Sequence, residues 1–130
     1  ASGLKNLAYL YQIRNRKDNQ YLSRIMEKVG LAPGSKKPVK KYSLGMRQRL
    51  AIAQAIMEEP DILILDEPMN GLDKDGVREM RELFLKIRES GKTLLMASHN
   101  REDIEALCDE VYEMEKGRLC RVCVDSVIKF

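Results

Sequence analysis

At 130 residues and 14.9 kDa, the chain has the size of one domain or of a piece of a larger one. Its 44% hydrophobic and 33% charged residues exclude a disordered or collagen-like chain, and no apolar run approaches the roughly 18 residues of a membrane span. The net charge of +3 hides a split of +10 over residues 1–50 and −7 over 51–130, but the basic half lacks the interleaved aromatics that stack bases, so no nucleic-acid partner is expected.

Residues 3–13 place Leu4, Leu7, Ala8 and Tyr11 on one helical face. Residues 19–29 repeat the pattern with Leu22, Ile25, Met26 and Val29, and Gly30 offers a stop. Residues 30–41 hold two prolines, two glycines and four lysines, which predicts a loop. A third helix is expected from Ser43 as N-cap to about Glu58, before Pro60.

The texture then changes. Asp61 to Leu65 is a short continuous apolar run after its first residue, and such a run predicts a parallel-sheet strand buried on both faces. A helix is expected from about Lys74 to Glu89, with Val77, Met80, Phe84 and Ile87 inward and Gly91 at its end. Thr93–Ala97 is a second apolar strand, so the three elements form one βαβ unit. Asn100 can cap a short helix carrying Ile104 and Leu107. Val111–Glu115 and Arg118–Val124 flank Lys116-Gly117 and predict a hairpin at the sheet edge.

The cysteines add little chemistry. Three is an odd number, which argues against a disulfide framework and fits a reducing compartment. Cys120 and Cys123 form a C-x-x-C without a second pair, and on a strand they face opposite sides, so packing is expected rather than zinc. The chain opens on Ala1 rather than Met and on no signal peptide, so its start reads as a cut.

Three places carry chemistry. The strand ending at Leu65 delivers Asp66 and Glu67 to its carboxyl end, where ligands bind in open α/β sheets. One carboxylate there can hold Mg²⁺ or its water, and the next can orient and deprotonate an attacking water. His99 follows the second strand directly and can reach the same ligand as Glu67. Tyr42-Ser43-Leu44-Gly45-Met46 opens the third helix, and a hydroxyl, a glycine and free N–H groups at a helix N-terminus suit an anion. Ser43 is also an ordinary N-cap, and Arg47, Gln48 and Arg49 add little by themselves.

The order YSLGMRQRLAIAQAI, ILILDEP, NGLD and SH, spread from about residue 3 to about residue 124, resembles the second half of an ATP-binding cassette (ABC) ATPase. That resemblance implies an α/β fold of the P-loop NTPase type: a helical subdomain over 1–58 and the C-terminal part of the core sheet over 59–130. Residues 42–46 would be the signature motif, with Ser43 and Gly45 toward nucleotide. Asp66 would hold Mg²⁺ through water, and Glu67 would be the catalytic base. Asn70–Asp73 would be the D-loop, with Asp73 beside nucleotide, and His99 would be the switch histidine. The implied cofactors are ATP and Mg²⁺. The implied partners are a second cassette, facing head to tail, and a membrane permease subunit that chooses the substrate. The implied place is the cytoplasmic face of the membrane, peripherally bound.

The signature departs from Leu-Ser-Gly-Gly-Gln at Tyr42, Leu44 and Met46. The form SLGM followed by basic residues is similar to cassettes of bacterial multidrug and antibiotic exporters. A larger departure is the missing G-x-x-x-x-G-K-[ST]: before Gly91-Lys92-Thr93, position 86 is Lys86 where the first glycine should be, and the run follows a helix rather than a strand. The chain alone is therefore expected to lack ATPase activity and to self-associate through uncovered apolar surface. Two other readings stay open at this point. One is a P-loop-less half that serves a complete partner without catalysis. The other is a non-transport ATPase of the translation or DNA-repair type.

Overall fold

The computed structural model describes residues 1–122. Cys123 and Val124, at the end of the expected hairpin, lie outside them. In chain order the elements are α1 (Gly3–Tyr11), α2 (Asn19–Lys28), a 3₁₀ turn (Val39–Lys41), α3 (Leu44–Ile56), β1 (Ile62–Asp66) and α4 (Lys74–Glu89). β2 (Thr93–Ala97), α5 (Arg101–Leu107), β3 (Val111–Glu115) and β4 (Arg118–Val122) follow.

Each α-helix starts on a polar side chain that takes an otherwise unpaired N–H: Ser2, Asp18, Ser43, Asp73 and Asn100. α1 stops at Tyr11, two residues short of the pattern, and leaves Ile13 exposed. The segment 30–41 is not all loop. It closes a 3₁₀ turn, and its Val39 N–H donates to the Ala1 carbonyl at 2.9 Å, which ties it to the front of α1. Tyr42 follows it into the core at 6% exposure, so the aromatic that departs from the usual signature fills a packing position.

One continuous core draws on both halves of the chain. Leu7, Leu22, Met26 and Val29 from the helical part meet Leu50, Ala53 and Met57, and the same cluster reaches Leu63, Leu65, Met80 and Phe84. The inward face expected for α4 holds, with Met80 and Phe84 fully buried and Val77 and Ile87 half-buried.

β1 and β2 pair in parallel, Ile62 opposite Thr93 and Asp66 opposite Ala97, with α4 as the crossover. Burial on β1 differs from expectation. Leu63 and Leu65 are buried, whereas Ile62 and Ile64 are 63% and 70% exposed. Side chains alternate across a strand, and the described helices cover one face of this pair. The hairpin also differs: β3 and β4 form their own antiparallel sheet, not an extension of the first. Val111 is the buried hydrophobic of this hairpin, while Tyr112, Met114 and Leu119 stay exposed.

Candidate active site

The parallel register sets the ends of β1 and β2 level, which brings residues 66–67 beside 97–99. The Glu67 N–H donates to the Ala97 carbonyl at 2.8 Å, extending the ladder one step past the strand. There the chain turns. Glu67 has φ of 45°, in the left-handed region, a conformation that costs a non-glycine residue on the order of 1–3 kcal/mol. Pro68, fully buried, follows it.

This turn aims the Glu67 side chain at β2. Its Oε1 accepts the backbone N–H of His99 at 3.1 Å. The His99 Nε2 stands 3.6 Å from the same oxygen, too far for a hydrogen bond, and the imidazole is fully exposed. Asp66 is exposed on the side of β1 that carries Ile62 and Ile64. Thus the structure brings together the sequence-expected Asp66, Glu67 and His99 at one strand end.

Ser43, Gly45 and Asp73 form a second group around the turn 70–73. The Ser43 hydroxyl accepts from Met46 N–H at 3.2 Å, so the exposed serine is an N-cap. Gly45 is a glycine for a steric reason: a Cβ there would stand 2.9 Å from the Gly71 carbonyl oxygen. At Gly71, with φ of 79°, a Cβ would stand 2.6 Å from Leu44 Cγ. Asp73 caps α4, its Oδ1 accepting from Gly76 N–H at 2.7 Å.

Two residues that sequence reasoning passed over tie the groups together. Gln48 Nε2 donates to the carbonyls of Glu67 at 3.2 Å and Pro68 at 2.8 Å. Arg49 Nη1 donates to the Val29 carbonyl at 2.8 Å and pairs with Glu79 at 3.0 Å, joining the end of α2 to α3 and α4. The available signal was spacing. Leu44, Gly45, Gln48 and Arg49 recur at i, i+1, i+4 and i+5, so they share the helix face that meets residues 67–79.

Lys92, in the run that mimics a phosphate loop, is engaged elsewhere. Its ammonium donates to the carbonyls of Glu59 at 2.9 Å and Pro60 at 3.1 Å, holding the entry to β1. As to a cation, the exposed Asp66 carboxylate is the hard oxygen donor that Mg²⁺ takes, and Mg²⁺ needs only one or two carboxylates when phosphate and water supply the rest. Among the described residues no three His, Cys, Asp or Glu converge on one point. Among the same residues no helix is long and apolar enough to cross a membrane.

Comparison with known proteins gives this geometry its relatives. The family model for ABC transporters matches residues 3–70. The ABC transporter ATP-binding protein YybJ of Bacillus subtilis is 47% identical over 115 residues, which are 88% of this chain and 52% of that protein. The bacitracin transport ATP-binding protein BcrA of Enterococcus faecalis is 42% identical over 119 residues, 91% of this chain and 39% of BcrA. The lantibiotic transport ATP-binding protein SrtF of Streptococcus pyogenes is 42% identical over 95 residues, 73% of this chain and 42% of SrtF. The chain thus spans about half, or less, of the curated relatives it matches. A chain of an ABC transporter solved in an inward-facing conformation superposes with a TM-score of 0.79 at 19% identity, over 97% of this chain and 53% of that one. That likeness shows the fold, an α/β arrangement of the P-loop NTPase kind. With more than half its length matched by the family model and its strand-end acids and helix-end turn set in that fold, the chain belongs to the ABC transporter family.

Proposed function

We propose that this segment serves an ATP-binding subunit that cleaves ATP to ADP and phosphate and uses the cycle to drive transport by a membrane permease. The observation that carries this reading is the contact between Glu67 Oε1 and the His99 N–H. It holds a carboxylate at the carboxyl end of a parallel strand, half-buried yet open to ligand, beside a fully exposed imidazole.

In this reading Glu67 accepts a proton from the attacking water, as a general base must lie within hydrogen-bond reach of the proton it takes. The backbone N–H of His99 keeps the carboxylate aimed, and the free imidazole donates toward the terminal phosphate. Asp66 would hold Mg²⁺, and that ion would supply neutralising charge on the phosphate oxygens. Ser43 and the N-terminal turn of α3 meet the nucleotide of a second cassette set head to tail, with Asp73 beside it. The functional division falls near residue 58, helical part before it and core part after it.

The relatives named for bacitracin and lantibiotic transport support export of peptide antibiotics as the task, at the cytoplasmic face of the membrane. The 130-residue chain alone is inactive in this reading, because no phosphate loop is within it. Its exposed Ile62, Ile64 and Leu95 make it self-associate.

The test is steady-state ATPase in a complete cassette carrying this segment. Glu67→Gln keeps the oxygen that accepts from His99 N–H but loses the base, and turnover is expected to fall by roughly 10²–10⁴ with ATP binding retained. Near-normal turnover in that variant overturns the assignment.

A further inference from the structure

The Glu67 turn is fixed from three sides, and one of them is a side chain. The 67 N–H is held by Ala97, and the 67 carbonyl accepts from Asn70 N–H at 3.1 Å. The third hold is Gln48, whose amide nitrogen reaches the 67 and 68 carbonyls together. Both partners are acceptors, so the NH₂ end of the amide must face them and both of its hydrogens are used. Gln48 is half-buried, which keeps water from replacing it freely.

These contacts act on the part of the chain that decides where the carboxylate points. Glu67 sits at a φ that its residue type disfavours, so its backbone stays there only while its surroundings hold it. Gln48 lies on α3, whose first turn carries Ser43 and Gly45 and rests on Gly71. A shift of that turn is therefore passed through Gln48 to the Glu67 peptide.

We propose that Gln48 is a positioning residue for Glu67: its paired hydrogen bonds to the 67 and 68 carbonyls lock the strained turn and make the aim of the carboxylate depend on the seating of α3. The proposal rests on the reading of Glu67 as the base. It predicts that Gln48 is felt in turnover and not in nucleotide affinity, because Gln48 touches backbone and not ligand.

The experiment is a double-mutant cycle on a complete cassette carrying this segment, with ATPase turnover, KM for ATP and thermal midpoint measured for each variant. Gln48→Met keeps the length and removes both donors. It is expected to lower kcat about tenfold with KM for ATP within twofold. In a Glu67→Gln background the same change should add no further loss, since there is no base left to aim. Gln48→Lys restores donors to both carbonyls and should recover kcat to within about threefold of the parent. It also serves if the methionine variant does not fold.

Parental turnover in Gln48→Met, or a Gln48→Lys protein that folds and is as slow as the methionine variant should be, overturns the proposal. So does an equal Gln48→Met loss with and without Glu67, which marks a structural role. In each of those cases an inactive Glu67→Gln leaves the base assignment standing. An active Glu67→Gln overturns that assignment and this proposal with it.

Discussion

The backbone N–H of His99, not its ring, is what holds the Glu67 carboxylate, at 3.1 Å. The imidazole stands in solvent, 3.6 Å from the same oxygen. Orientation and chemistry are thus divided within one residue. The main chain aims the acid, and the side chain, fully exposed, takes no part in that hold.

His99→Ala should therefore leave the Glu67 contact intact, since any residue but proline supplies that N–H. A side chain with full exposure contributes little to stability, so unfolding free energy should move by no more than about 0.5 kcal/mol. In a complete cassette kcat should fall while ATP affinity stays close to that of the parent. A variant that melts early but turns over normally would return His99 to a structural part.

Gly45→Ala sets two effects against each other. Alanine is the better helix former by about 1 kcal/mol, yet its methyl would meet the Gly71 carbonyl oxygen at 2.9 Å, and backbone cannot swing aside as a side chain can. Forcing extra volume into such a contact costs about 1–3 kcal/mol, so the clash wins or cancels the gain. Urea unfolding should show net destabilisation of up to about 2 kcal/mol. A stabilised variant would show that α3 and the turn 70–73 do not press together.

Arg81 and Asp103 join α4 to α5, with the guanidinium Nη2 at 2.7 Å and Nε at 2.9 Å from one carboxylate oxygen. The Asp103 side chain is 4% exposed and that of Arg81 26%. Asp103→Ala leaves an arginine that can recover part of its hydration. The expected loss is about 2–3 kcal/mol, below the roughly 3–5 of a wholly buried pair. Asp75→Ala, which breaks the solvent-exposed pair with Arg78, should cost under about 1 kcal/mol and serves as the control. Equal effects in the two denaturation curves would refute the ranking.

Tyr21 supplies a pH signature. Its hydroxyl donates to the Met57 carbonyl at 2.6 Å, and burial, helped by the negative charge of Glu59, pushes its pKa up from 10.0 to about 12. The folded state thus favours the neutral phenol. This contribution is complete below pH 10 and is lost as pH rises through about 12, because the unfolded chain ionises first. Stability measured from pH 9 to 12 should fall more steeply in the parent than in Tyr21→Phe. Parallel curves would mean that the phenol is as wet in the fold as out of it.

How far the sequence spoke for itself varies by element. The strand pair, its crossover helix and the Ser43 cap are legible because each rests on local pattern: apolar run, 3.6-residue period, hydroxyl before a helix. The one-sided burial of β1 is not, since Ile62 to Leu65 are all apolar and carry no polar mark for the open face. Asp73 is legible in a second way that its motif did not single out, as the cap of α4. Gln48 and Arg49 are illegible for another reason. Both reach backbone carbonyls about 20 residues away, and every residue has a carbonyl.

The open face of β1 has an electrostatic consequence. Asp66 ends the same row as Ile62 and Ile64, all three on the uncovered side of the strand. Any layer laid over those isoleucines also thins the water around the Asp66 carboxylate. A thinner water shell lowers the local dielectric, and a charge pair at a given separation then attracts several times more strongly than in bulk solvent. The packing of two aliphatic side chains would thereby set how strongly a neighbouring acid attracts any cation brought beside it.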